Sequence, residues 1–174
     1  KKYLRIVNIG RFTNQKNQML ILKAIKYLNN CIPIKLLIIG RGENYMKLKN
    51  FIHENKLEEN IILKRFVSNP YPFLKLSDIF VLSSNYEGLP NVLLEAQFFK
   101  KIIISTKCPT GPKEILLNGK VGFLVNNDDY VDLANKIRIY FQKPEIIKKK
   151  KKYFKKSLLQ FSPIKSLNKY QEIV

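Results

Sequence analysis

The chain has 174 residues, 45% hydrophobic and 26% charged, the balance of one globular domain with an ordinary core and not of a disordered segment. Its net charge of +19 points to an anionic partner (nucleic acid, a membrane surface or a phosphorylated substrate) or to a composition biased throughout toward Lys, Asn and Ile. Two cysteines, Cys31 and Cys108, stand far apart without metal-ligand spacing and read as reduced, and no apolar run reaches the roughly 18–20 residues of a membrane span. With no signal peptide visible, the expectation is a cytoplasmic protein, soluble or peripheral on the inner face of the cell membrane.

Strand and helix patterns alternate along the chain, which predicts an α/β fold with a parallel sheet covered by helices on both faces. Leu4–Gly10 is an apolar strand ending on glycine. Gln15–Asn29 repeats apolar residues at Leu20, Ile21, Ala24, Ile25 and Leu28 with a helical period. Ile34–Ile39 is a near-continuous apolar run, as a central parallel strand requires, and Tyr45–Asn55 is amphipathic. Ile61–Phe66, Ile79–Ser83 and Ile102–Ser105 are further strands, separated by helices over Pro70–Leu76 and Asn91–Phe99. Gly122–Val125 is a short last strand and Tyr130–Phe141 a helix. Beyond Pro144 the consecutive Lys148 to Lys152, flanked by Ile146, Ile147, Tyr153 and Phe154, predict an amphipathic helix. Phe161-Ser162-Pro163 ends it, and Ile164–Ile173 predicts a last helix capped by Ser162.

Five segments carry residue types suited to a site. In Gly10-Arg11-Phe-Thr-Asn-Gln-Lys16, a glycine at a strand end admits a ligand close to the backbone. Arginine grips two oxygens at once and lysine supplies a point charge, which suits a diphosphate; a surface loop is the plainer reading. Gly40-Arg41-Gly42-Glu43 lacks the third glycine of a dinucleotide fingerprint and reads as a tight turn, with Arg41 solvated. Phe66 and Val67, after the third strand, offer a flat slot for a nucleobase or ordinary core packing.

Glu87-Gly88-Leu89-Pro90-Asn91-Val92-Leu-Leu-Glu95 sets two carboxylates around a turn and a helix start, with Pro90 read as the first helical residue. A helix start presents free N–H groups and a positive dipole end to phosphate, while carboxylates accept from hydroxyls. Phosphate plus hydroxyls describes a nucleotide sugar. Each glutamate alone also reads as a helix-surface charge. Finally, Ser105 to Glu114 forms a rigid Pro/Gly turn in which Lys113 suits a phosphate, an acceptor group or a salt bridge. Cys108 has no histidine partner, since His53 lies in a charged helix.

Gly10-Arg11…Lys16, Ser83-Ser84, Glu87-Gly-Leu-Pro-Asn91, Leu93-Leu94-Glu95-Ala96 and Cys108-Pro-Thr-Gly-Pro-Lys-Glu-Ile115 together resemble the C-terminal signature of retaining glycosyltransferases of the GT-B fold (glycosyl transferases group 1, family 4 type). The resemblance covers essentially the whole chain. It implies a Rossmann-like, doubly wound parallel sheet of about six strands, the C-terminal half of that fold. It divides the chain into a donor-binding domain (1–142) and a basic helical extension of it (143–174), with the acceptor domain preceding this point in the family.

By the same resemblance, Arg11 and Lys16 neutralise the departing nucleoside diphosphate. Gly10, Gly40 and Gly42 border the nucleotide, Phe66 and Val67 the base. Glu87 holds sugar hydroxyls, the backbone of Gly88, Leu89, Pro90, Asn91 and Val92 faces sugar and diphosphate, and Glu95 holds the ribose. The implied reaction moves a hexosyl or N-acetylhexosaminyl unit from a UDP-linked sugar to a glycan or lipid-linked acceptor. No cofactor is expected, and without an Asp-x-Asp motif the chemistry is expected to be metal-independent. The lysine-rich end suits an anionic membrane, and no specific nucleic acid is expected. Two other classes stand beside this reading: a non-catalytic nucleotide-sugar-binding fragment, and a basic nucleic-acid-binding α/β domain that leaves the glutamates unexplained. The sequence departs from the family at Phe98-Phe99-Lys100-Lys101, where an Ala/Gly-rich helix end is usual, and lacks a glycine often found near Phe66.

Overall fold

The computed structural model describes residues 3–29 and 31–161; the helix expected over Ile164–Ile173 and its Ser162 cap lie outside the described residues. The strands are β1 (Leu4–Ile9), β2 (Ile34–Gly40), β3 (Ile61–Arg65), β4 (Ile79–Leu82), β5 (Ile102–Thr106) and β6 (Phe123–Val125). All pair in parallel in the order β3-β2-β1-β4-β5-β6. Between and after them come α1 (Gln18–Leu28), α2 (Tyr45–Glu54), α3 (Tyr71–Leu76), α4 (Asn91–Phe98), α5 (Pro112–Ile115), α6 (Tyr130–Gln142), α7 (Pro144–Lys151) and α8 (Phe154–Gln160). Helices α1, α2 and α6 pack together, as do α4, α5 and α8, and the two groups flank the sheet.

Every residue of β4 and β5 is buried, while β2, which reads as a near-continuous apolar run, leaves Lys35 and Leu37 partly exposed. At the centre, β1 and β4 share only the register pairs Ile6↔Ile79 and Val7↔Phe80. Buried Asn8 extends that joint, its Nδ2 donating to the Val81 carbonyl at 2.9 Å. This joint matters for function. Sequence order reverses here, so the connections after β1 and β4 leave in opposite directions and open a crevice at the carboxyl ends of the strands.

Apart from one-residue shifts at element ends, four features differ from the sequence reading. Helix α1 starts at Gln18 instead of Gln15, because Asn17 turns left-handed (φ 43°), a conformation asparagine tolerates. Pro90 is the cap of α4 and not its first helical residue; its ψ of 92° is extended. The Pro-Gly turn after β5 contains the one-turn helix α5, begun by Pro112. The lysine-rich stretch is two helices, broken at Lys152–Tyr153, with Ile147 and Phe154 buried in the common core.

Candidate active site

The carboxyl ends of β1, β2 and β3 meet α4 around a cavity of about 500 Å³. Gly10 and Arg11 enter from β1, Gly40 from β2, Phe66 and Val67 from β3, and Glu95 from the second turn of α4. Four segments remote in sequence thus bring six of the expected residues to one cavity. A neighbouring cavity, also about 500 Å³, shares Gly40 and Phe66 and adds Phe12, Gly42, Tyr45 and Arg65. Arg41 is exposed, as read from sequence, and also lines both, its guanidinium 5.5 Å from the Phe66 ring centroid. Phe66 is 62% exposed, so it serves this surface and not the core. A planar cation over an aromatic ring is suited to hold a flat group. The signal available in the sequence was the repeat of Gly-Arg at the end of two adjacent strands.

Lys16 and Glu87 do not line that cavity. They meet beside it across the β1/β4 crevice, Lys16 Nζ to Glu87 Oε1 at 2.5 Å, with side chains 18% and 9% exposed. Ser84 Oγ donates to the same carboxylate oxygen at 2.6 Å. The stem of Lys16 runs along Gly10, where an added Cβ would meet its Cγ and Cδ at 3.6 Å. Glu87 lies in the loop, ahead of α4, and not on the helix. The sequence reading gave Lys16 to a diphosphate and Glu87 to a sugar; in this structure each neutralises the other.

Amide side chains fix the loops that carry this pair. Gln15 Nε2 donates to the Tyr86 carbonyl at 3.0 Å, the Asn85 N–H donates to the Gln15 carbonyl at 2.8 Å, and Asn85 Nδ2 to the Asn14 carbonyl at 3.0 Å. Ser83 Oγ donates to the Lys16 carbonyl at 2.7 Å. Asn127 Nδ2, from the loop after β6, donates to the Asn85 carbonyl at 3.1 Å. Asn85 therefore joins three loops, a role its sequence context did not signal.

The α4 start stands next to Glu87. The first N–H groups of a helix have no partner within it, and at Gly88 an added Cβ would meet nothing within 4 Å. Behind the turn, Gly111 (φ 85°) touches it closely: a Cβ there would fall 2.0 Å from the Gly88 carbonyl oxygen. Thr110 Oγ1 donates to the Glu87 carbonyl at 2.5 Å. Gly40 and Gly42 press on the β1–α1 loop in the same way, with an added Cβ at 2.0 Å from Gly10 O and 2.4 Å from Phe12 O respectively. Both border the cavities and also fix the loop bearing Arg11.

Cys108 Sγ donates to the Ser84 carbonyl at 3.2 Å. Burial pushes its thiol pKa up, and the Glu87 carboxylate adds to the effect, so the group is a neutral strut and not a nucleophile. His53 pairs with Glu58 on the surface. Among the described residues, no three His, Cys, Asp or Glu side chains are grouped to hold a metal ion.

A family model described as Glycosyl transferases group 1 matches residues 1–157. The chain belongs to this family. An uncharacterized glycosyltransferase of Methanocaldococcus jannaschii is 44% identical over 111 residues, covering 63% of this chain and 27% of its own length. The N-acetylgalactosamine-N,N'-diacetylbacillosaminyl-diphospho-undecaprenol 4-alpha-N-acetylgalactosaminyltransferase of Campylobacter jejuni is 28% identical over 160 residues, 92% of this chain and 43% of the relative.

Among solved structures, a Staphylococcus aureus TarM variant in complex with Fondaparinux, alpha-GlcNAc-glycerol and UDP superposes with a TM-score of 0.85 at 23% identity, over 97% of this chain and 34% of that one. The pneumococcal O-GlcNAc transferase GtfA, in complex with UDP and GlcNAc, gives 0.86 at 19% identity, over 99% and 35%. The fold is the Rossmann-like half of a GT-B glycosyltransferase. The chain spans less than half the length of each of these relatives.

Proposed function

We propose that this group 1 glycosyltransferase chain is the donor-binding half of a retaining enzyme, transferring a hexosyl or N-acetylhexosaminyl unit from a UDP-linked sugar to a glycan or lipid-linked acceptor. The observation that carries the reading is the convergence of Gly10, Arg11, Phe66 and Glu95 on one cavity at the strand ends, beside the Lys16–Glu87 pair. The nucleobase lies against Phe66 and Arg41, and the ribose hydroxyls donate to Glu95. The diphosphate reaches Arg11 and the N–H groups at the α4 start. Sugar hydroxyls replace the Lys16 ammonium on Glu87, and Lys16 turns to the diphosphate oxygens, so the carboxylate stays hydrogen-bonded and the ammonium keeps an anionic partner.

As the glycosidic bond breaks, negative charge grows on the leaving diphosphate. Arg11, Lys16 once released from Glu87, and the α4 start then stabilise it, the electrostatic contribution that is usually the largest in catalysis. This account invokes no metal, and the leaving phosphate takes the proton of the incoming hydroxyl. The relatives support the choice of ligands: TarM and GtfA were solved with UDP, and the Campylobacter enzyme is named for a diphospho-undecaprenol acceptor. Action on such an acceptor would bring the enzyme to a membrane face, although no helix among the described residues is long and apolar enough to cross one. A saturation-transfer NMR screen of UDP-, GDP- and ADP-sugars tests the reading. Transfer to a UDP-sugar that disappears in Arg11→Ala supports it, and no transfer to any nucleotide sugar at millimolar concentration overturns it.

A further inference from the structure

We propose that the outward sides of α7 and α8 form a docking surface for an anionic lipid bilayer, independent of the donor site. Residues 143–156 hold eight lysines and one glutamate, a net of +7 out of +19 for the whole chain. That is ~4–5 times what an even spread of the charge would place there, so general lysine bias does not account for it.

The structure sorts these lysines by direction. Lys150 turns inward: its Nζ donates to the Gly119 and Gly122 carbonyls at 2.6 and 2.7 Å and lies 4.3 Å from the Phe123 ring centroid. It belongs to the fold. Lys148, Lys149, Lys151 and Lys152 are exposed, and at the helical pitch they span about 160° of the circumference, opposite Ile146, Ile147 and Lys150. On α8, Phe154 and Ser157 are buried. Lys155, Leu159 and Lys156 follow one another around its outer side, and Leu159 is 48% exposed. Tyr153, also exposed, stands between the helices.

One exposed leucine set between lysines, with a tyrosine beside it, suits contact with the headgroup layer of an anionic bilayer. The ammonium groups reach lipid phosphates while the apolar side chains enter the headgroup layer. A nucleic acid would match the charge but offers no layer for Leu159. The platform is firmly held: Ser157 Oγ donates to the Ile115 carbonyl at 2.6 Å and Gln160 Nε2 to the Glu114 carbonyl at 3.1 Å.

Vesicle sedimentation of the 174-residue chain tests this, with phosphatidylcholine alone and with 30% phosphatidylglycerol, at 25 and 150 mM NaCl. The expected result is binding only to the anionic vesicles, falling at least ten-fold at the higher salt. The K148Q/K149Q/K151Q/K152Q/K155Q/K156Q variant, with Lys150 kept, should lose more than 100-fold, since each lysine near such a surface contributes roughly five-fold. K148Q/K149Q/K152Q, losing about 100-fold, serves if the larger variant fails to melt as the parent does. The charge-matched control K23Q/K26Q/K47Q/K49Q/K56Q/K64Q, on the far side of the fold from α7, should stay within about three-fold of the parent. Equal loss in the control overturns the proposal, because diffuse charge would then suffice. Equal binding to neutral vesicles overturns it, and so does a DNA duplex bound as tightly as the anionic vesicles and lost in the same variant.

Discussion

Alanine at Gly111 would place a Cβ 2.0 Å from the Gly88 carbonyl oxygen and 2.6 Å from Pro90 Cδ. Neither atom belongs to a side chain that can rotate away, so the turn carrying Glu87 must move. The residue would also sit at φ 85°, ψ −71°, which side-chain-bearing L residues rarely adopt. Overpacking costs about 1–3 kcal/mol and the sparsely populated backbone conformation about 1–3 kcal/mol, roughly 2–6 kcal/mol together out of the ~5–15 kcal/mol typical of a domain. At ~2–4 °C per kcal/mol for a chain of this size, the melting temperature falls by about 4–24 °C.

Gly88→Ala, across the same contact, meets nothing within 4 Å and should stay within about 0.5 kcal/mol of the parent. Its methyl would project into the space proposed for the sugar and diphosphate, so UDP-sugar affinity should fall at least ten-fold while the fold is unchanged. Thermal melts by circular dichroism, paired with calorimetric titration of UDP-glucose, measure both effects. A Gly111→Ala melt within 2 °C of the parent would refute the reasoning, as would a Gly88→Ala melt equally depressed.

Two further outcomes follow from the same geometry. Cys31 is exposed and Cys108 buried with a raised thiol pKa. Iodoacetamide should therefore label one thiol per native chain and two in guanidinium; native labelling of Cys108 at a rate comparable to Cys31 would contradict its placement. Because Cys108 keeps its proton to higher pH folded than unfolded, its contribution to stability is complete below about pH 9 and is lost as pH rises through the folded value. The 174-residue chain alone should show no transferase turnover, since the account places the acceptor opposite the donor on a wall this chain does not supply, and positioning contributes as much as ~7–11 kcal/mol. Turnover at the rate of a complete enzyme would refute that.

The features legible in the sequence were those set by local pattern. The apolar run at Ile34–Ile39 announced a parallel strand covered on both faces, because such burial leaves little polar alternation. Gly10-Arg11 at a strand end and Glu95 after the turn were assigned to one site by the family resemblance, which requires no knowledge of the topology. What stayed hidden was closure in three dimensions. Nothing local tells that Lys16 reaches Glu87, because that contact depends on which loops face each other across the β1/β4 joint.

Arg41 is exposed as expected, but its place over the Phe66 ring was hidden because that ring follows another strand. In Lys148 to Lys152 the run conceals that the middle residue points inward, which only the packing of α7 against the Gly119–Phe123 turn decides. Asn17 delayed α1 through a left-handed turn that asparagine permits but does not require.

The donor-site account is tested most directly by calorimetric titration of the chain and of Glu95→Ala with UDP and with inorganic diphosphate. The account predicts that the parent binds both, and that Glu95→Ala weakens UDP at least ten-fold while leaving diphosphate within two-fold, because only UDP carries ribose hydroxyls. No heat from UDP, GDP or ADP at millimolar concentration, or equal losses for UDP and diphosphate in Glu95→Ala, would contradict it.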